Sequence, residues 1–333
     1  VLHYLNNTRP SYAIDMPTPV FVDFNDVLTA AARIAPHAHA TPVLHADSID
    51  ALASCVVHFK CEHLQRTGAF KFRGACNAVW SLSDEQAARG VVTHSSGNHG
   101  AALALAARTR GITCHVVVPD NAVRAKVVAI EGYGAILHYC APGISAREAM
   151  CAQVRSDTGA ELVHPYTDAR VVAGQGTAAM ELFAAAGPFD AIIAPVGGGG
   201  LISGTTIATH ALAPGCEVIG AEPTGAAETF LSLQRGTRVT DFTPDTICDG
   251  LRGTLGEPNF ALLRDHAVEV LTVDDAQTVA AMRMLLQRMK QMVEPSSAIA
   301  LAAVLQHPER FAGKRVGVIL SGGNVDLDAL PWV

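Results

Sequence analysis

The chain has 333 residues, too many for one core of ordinary size, so its length predicts two domains or one large doubly wound domain. Apolar residues make up 49% and charged residues 17%, with a formal net charge of −7, which leaves no basic footprint for nucleic acid or an anionic membrane surface. The expected ligand is a small molecule.

The opening Val1-Leu2-His3-Tyr4 lacks a basic segment followed by an apolar core, and no apolar run reaches the ~18 residues that span a bilayer. The eight cysteines (Cys55, Cys61, Cys76, Cys114, Cys140, Cys151, Cys216 and Cys248) are scattered, with no Cys-x-x-Cys and no zinc-like Cys/His spacing. They read as buried, reduced thiols of a soluble cytoplasmic protein.

The first strand-like run, Val56-Val57-His58-Phe59-Lys60, leads into Gln65-Arg66-Thr67-Gly68-Ala69-Phe70-Lys71-Phe72-Arg73-Gly74-Ala75, with a helix expected from near Gly74. A lysine just before a helix N-terminus lies in a locally positive field that favours the neutral amine, the form that attacks an aldehyde. Lys71 is therefore a candidate Schiff-base lysine, against the plain alternative of a solvated loop residue.

The strand Val91-Val92-Thr93 is followed by Ser95-Ser96-Gly97-Asn98-His99-Gly100 and an alanine-rich helix, Ala101 to Arg110, closed by Gly111. Amides and hydroxyls at such a turn suit a carboxylate, although the segment also reads as an ordinary helix cap. Strands are then expected at Thr113 to Val118 and Ala135 to Tyr139, around a helix from Ala122 to Glu131 capped by Asp120-Asn121 and stopped at Gly132.

After the strand Ala191 to Ala194, four glycines, Gly197 to Gly200, open the helix that begins Leu201-Ile202-Ser203. Successive backbone amides there can converge on an anion, a phosphate cup lacking the lysine and serine of a nucleotide P-loop. A tight turn alone accounts for one or two glycines and not for four.

A strand at Glu217 to Gly220 follows, then an amphipathic helix from Ala276 to Met292 whose methionines read as core filler, and a last strand, Val316 to Leu320. Ser321-Gly322-Gly323-Asn324 sits at the end of that strand, where open α/β sheets bind ligands. Strands alternating with helices predict an α/β fold with a mainly parallel sheet covered on both faces. A smaller unit over residues 85–165 is expected to be inserted in a larger domain formed by 1–84 and 166–333.

Together the lysine segment, the Ser95–Gly100 turn, the glycine cup and Ser321 resemble the fold-type II pyridoxal-phosphate enzymes, specifically the serine/threonine dehydratase and serine racemase family, from about Thr41 to Leu327. The resemblance implies a tryptophan synthase β-like fold of two open, twisted, three-layered α/β domains. It implies that Lys71 carries pyridoxal 5'-phosphate as a Schiff base, with Phe70 beside the ring and Asn98 at its oxygen. Gly197, Gly198, Gly199, Gly200 and Leu201 would hold the phosphate, Ser321 would meet the pyridine nitrogen, and Glu294, in Glu294-Pro295-Ser296-Ser297, would lie near the ring. A hydroxyl cannot keep that nitrogen protonated as a carboxylate would, so the site suits β-elimination from a hydroxy-amino acid.

The turn's Ser95, Ser96, Gly97 and His99 are implied substrate contacts, and Ser96 matches the acid/base serine of the racemases. Arg147 aligns with an arginine facing the substrate side chain and suits a β-carboxylate; a surface helix arginine is the alternative. Glu222, the carbonyl of Ala226 and Glu228 match a Mg²⁺ or Ca²⁺ site, with glutamate at 228 where aspartate is commoner; the alternative is a pair of solvated surface acids. Ala69 replaces the usual serine before Phe70, which leaves substrate identity within the family open. With the sequence ending at Val333, no regulatory effector domain is expected.

The expectation is an ammonia-lyase acting on L-serine, L-threonine or threo-3-hydroxyaspartate, as a homodimer with an amino acid as its only expected partner. The competing readings are a serine racemase with elimination as a side reaction, a non-catalytic pyridoxal-phosphate regulator, and a dinucleotide-binding sensor.

Overall fold

Two open sheets organise residues 21–332, which the computed structural model describes; the opening Val1–Tyr4 segment lies outside them. The strands are β1 (Val43–His45), β2 (Val56–Cys61), β3 (Val91–Thr93), β4 (Cys114–Pro119), β5 (Ile136–Cys140), β6 (Glu161–Leu162), β7 (Ala191–Pro195), β8 (Glu217–Pro223), β9 (Glu269–Val273) and β10 (Arg315–Leu320). The larger sheet runs β1-β2-β10-β7-β8-β9 and the smaller β5-β4-β3-β6. All pairings are parallel except β1 with β2. Parallel strands need covering helices on both faces, which is why β7 and β10 are buried almost throughout.

The two helices that carry the chemistry share one support. The Lys71–Trp80 and Gly200–Leu212 helices both pack on the Ala169–Ala186 helix. A Cβ on Gly174 would lie 2.6 Å from Gly74 Cα, and one on Gly204 would lie 2.5 Å from the Gly176 nitrogen. Backbone-to-backbone contact of this kind tolerates no side chain, so the lysine and the glycine turn are fixed to the same rod. The core around Phe72, Ala75 and Val79 continues into Leu103 and Val116 of the smaller sheet's layer, so the lysine helix sits at the seam between the two sheets.

Three expected boundaries are corrected. Lys71 is the first residue of its helix rather than upstream of one beginning near Gly74. The chain is pinned there because Ala69 bridges Gly322 and the Phe70 amide donates to Ser321 O at 2.9 Å. The helix after β4 spans Arg124–Gly132 with Val123 as its start and no side-chain cap, since the Asp120 amide is taken by Cys140 O at 2.9 Å. The expected long helix from Ala276 runs Asp275–Met284, widens into a π turn at Leu285–Met289 and stops at Lys290, whose φ is 60°. That stop returns the chain to the larger sheet, where the Glu294 amide donates to Gly322 O at 3.0 Å.

All eight cysteines are free, and all but half-buried Cys140 are buried. Among the described residues no helix is long and apolar enough to cross a membrane.

Candidate active site

A cavity of about 930 Å³ opens at the carboxyl ends of β3, β4, β7 and β10, between the two sheets. It is lined by Phe70, Lys71, Ser95, Ser96, Gly97, Asn98, His99, Arg147, Gly197, Gly198, Gly199, Gly200, Leu201, Glu294 and Ser321, so residues from all four sequence signals meet in one place.

Lys71 Nζ donates to Pro165 O at 3.0 Å and lies 5.1 Å from the Phe70 ring centroid. Burial lowers its pKa from 10.5 to about 8, against a smaller raising effect of Glu294. A lysine so placed is neutral far more often than one in water, as attack on a carbonyl requires.

The glycine turn is held from outside. Gly198 O accepts from Asn259 Nδ2 at 2.6 Å and from the Gly256 amide at 3.1 Å, while Asn259 Nδ2 also donates to Tyr166 O at 2.9 Å. With the carbonyl occupied, the first-turn amides of the Gly200–Leu212 helix are left for a ligand. Gly199 caps that helix at φ 93°, a conformation that favours glycine, and a Cβ on Gly198 would lie 2.3 Å from the Tyr166 ring. An anion cup of this shape beside a buried lysine fits a phosphorylated aldehyde.

On the facing wall, Asn98 and His99 start the Asn98–Arg110 helix. Asn98 Nδ2 donates to Glu294 at 2.9 and 3.2 Å, and its Oδ1 accepts from Asn324 Nδ2 at 2.9 Å. Burial pushes the Glu294 carboxyl up to about 7. His99 Nε2 bonds Val163 O at 3.2 Å. A carbonyl only accepts, so Nε2 carries the proton; burial keeps the ring neutral by holding its pKa well below 6.5, and Nδ1 is a buried acceptor without a partner among the described residues. Ser321, at the end of β10, donates to Ser296 O at 3.4 Å. Arg147, on the Ile144–Thr158 helix, reaches the cavity rather than standing on an unrelated surface.

The remaining three expected site residues lie beside the cavity. Glu222 ends β8, Ala226 lies in the 3-10 turn Thr224–Ala226, and Glu228 starts the Glu228–Arg235 helix. Both acids are buried, 1% and 2% exposed, which rules out the solvated-surface alternative. Glu222 accepts from the amides of Thr229 and Phe230 at 2.9 Å each, and Glu228 accepts from the Leu255 amide at 2.6 Å. Burial pushes the two carboxyls up to about 8 and about 7. Two buried carboxyls with no Lys or Arg paired to them among the described residues suit a cation, which would displace the protons that burial favours.

Sequence reasoning missed a buried ion cluster behind the lysine. Arg73 Nε and Nη2 donate to Glu62 at 2.7 and 2.8 Å, and Nη1 and Nη2 donate to Glu181 at 2.7 Å each. Lys60 Nζ donates to Glu181 at 2.5 Å and to Thr41 O at 2.7 Å. Part of its signal was present, in that Lys60, Arg73 and Glu181 interrupt largely apolar strand or helix segments. Tyr166, whose ring backs the glycine turn, and its neighbour His164 also line the cavity.

The chain belongs to the pyridoxal-phosphate dependent enzymes, the family whose model matches residues 34–322. It is 47% identical over 309 residues to a β-hydroxyaspartate dehydratase of Paracoccus denitrificans, covering 93% of this chain and 98% of that one. It is 42% identical over 305 residues to an L-threo-3-hydroxyaspartate ammonia-lyase of Saccharomyces cerevisiae, covering 91% and 94%. The structure of maize serine racemase superposes with a TM-score of 0.90 at 44% identity, covering 92% and 95%. The fold is thus that of the fold-type II pyridoxal-phosphate enzymes, and the cofactor of the family is pyridoxal phosphate.

Proposed function

We propose that this protein is an ammonia-lyase that removes the hydroxyl and amino groups of a small L-β-hydroxy-amino acid, giving a 2-keto acid and ammonia. Serine, threonine and threo-3-hydroxyaspartate are the substrates considered, and threo-3-hydroxyaspartate fits best. The observation that carries the reading is a buried lysine, its pKa lowered to about 8, in one cavity with a four-glycine helix N-terminus.

Pyridoxal phosphate, when bound, supplies the electron-accepting ring that lets an amino acid lose its Cα proton. In this reading the amides of Gly197 to Leu201 would hold the phosphate, Phe70, Asn98 and Ser321 would hold the ring, and Glu294 orients Asn98 through its hydrogen bonds. Ser95, Ser96, Gly97 and His99 bind the α-carboxylate, and Arg147 takes a β-carboxylate. Lys71, as a free amine, would accept the Cα proton while the β-hydroxyl, protonated in turn, leaves as water; the released enamine tautomerises to an imine that water hydrolyses to the keto acid and ammonia. Ammonia and keto-acid release should fall at least about a thousandfold in Lys71→Ala, together with the visible absorbance of the bound cofactor. Undiminished release in that variant refutes the assignment.

Racemisation is the second reading, favoured by Ser96 in the cavity wall and by the likeness to maize serine racemase. Chiral analysis of L-serine after incubation decides it, since absence of D-serine excludes racemase activity. For Glu222, the Ala226 carbonyl and Glu228 we propose Mg²⁺ or Ca²⁺. Either ion should raise the melting temperature of the wild type and not of Glu228→Gln; equal shifts in both contradict the site.

Residues 85–165 are proposed as an inserted domain, supported by the confinement of β3 to β6 to that stretch. Hydrogen exchange should show it opening separately from the larger sheet, and uniform protection across both would oppose it. The free buried thiols support a cytoplasmic protein, which thiol labelling in cell fractions tests. A homodimer is proposed on symmetry grounds, and a single monomeric species in sedimentation velocity refutes it.

A further inference from the structure

Arg238 lies in the loop after the Glu228–Arg235 helix and lines the same cavity as Arg147, but from the larger sheet's side. Its Nε is buried and has no hydrogen-bond partner among the described residues. Among the described residues its one ion-pair partner is Glu257, 3.7 Å from Nη1 and 87% exposed, a surface contact too loose to hold a guanidinium that is itself only 28% exposed, with the buried Glu228 carboxyl also within its field. A buried donor left open costs free energy unless something in the cavity accepts from it.

Arg147 lines the cavity from the smaller sheet's side, its Nε donating to Gly143 O at 3.3 Å. Tyr166 lines the same cavity, and its ring backs Gly198. The α-carboxylate of a substrate belongs, in the reading above, to the turn after β3. A monocarboxylate such as serine therefore has no second anion to offer the two guanidiniums, whereas an amino acid with a second carboxylate does.

We propose that Arg238 is a specificity-determining residue that binds the distal carboxylate of a four-carbon dicarboxylic substrate, in the cavity it shares with Arg147. The inference rests on the lyase reading and narrows it to substrates of the hydroxyaspartate class. Planar, multidentate guanidinium donors suit a carboxylate held between two walls.

The test is equilibrium binding of succinate and of propionate to the holoenzyme, by calorimetry, for the wild type, R147Q and R238Q. Cofactor absorbance serves as the check that each variant is folded and loaded. In R238Q the succinate Kd should rise about tenfold or more while the propionate Kd stays within about twofold, as expected for loss of a charged hydrogen-bonding partner. The ratio of kcat/KM for 3-hydroxyaspartate over serine should fall about tenfold. An unchanged succinate Kd overturns the proposal, as does equal weakening of succinate and propionate. Weaker cofactor retention in R238Q also overturns it, because Arg238 would then serve the phosphate. The binding arm needs no turnover, so an enzyme that releases no ammonia contradicts the lyase reading while leaving Arg238 tested on its own.

Discussion

Behind Lys71 and in front of it lie two sets of polar groups with opposite character. Behind it, Lys60, Glu62, Arg73 and Glu181 balance two positive charges against two negative ones, and every group is hydrogen-bonded. In front of it, the cavity wall leaves His99 Nδ1 and Arg238 Nε without partners among the described residues and holds Lys71 by one carbonyl. Burial alone therefore does not mark a functional group. A satisfied buried charge fixes geometry, whereas polar atoms left open at the cavity wall are available to a ligand.

The strongest way to break that contrast is to unpair the rear cluster. Arg73→Met strands Glu62, which is fully buried and whose carboxyl is held below 4.5 by Arg73 and Lys60 against the opposing pull of burial. Stability measured by urea unfolding should drop by about 3–5 kcal/mol, the range for removing one partner of a buried pair. A loss below about 1 kcal/mol would show that the cluster is not structural. Arg73→Lys should recover little, since an ammonium cannot bridge two carboxylates through paired donors.

A smaller effect is expected on the front side. In Gly198→Ala the added methyl meets the Tyr166 ring, so the turn must shift and cofactor retention on dialysis should weaken about tenfold with little change in the urea midpoint. Unaltered retention would separate the turn from the cofactor. Smaller again is the pH response of Glu294. Its folded pKa is raised to about 7 from 4.5, so its contribution to stability is present below about 4.5 and lost as pH rises through about 7. In the apo-protein, Glu294→Gln should reduce the fall in stability between pH 5 and 7.5 by the equivalent of about one proton; an unchanged slope contradicts the assignment.

Much of this site was legible because its signals are local. Four glycines after the Ala191–Pro195 strand, or a serine closing Val316–Leu320, declare their positions through backbone demands that neighbours in the sequence share. What escaped depends on distant partners. The start of the lysine helix is set by Gly322 and Ser321, more than two hundred residues away, and the antiparallel edge Val43–His45 is too short to show an alternation. The ion cluster draws on residues 41, 60, 62, 73 and 181, so no window of sequence contains it.

The central claim is that the cofactor is carried by Lys71, and borohydride reduction of the purified holoprotein followed by peptide mass mapping tests it most directly. The account predicts the pyridoxyl mass on the peptide containing Lys71 and not on those containing Lys60 or Lys126. The cofactor fixed to another lysine, or recovered free with Lys71 unmodified, would contradict it.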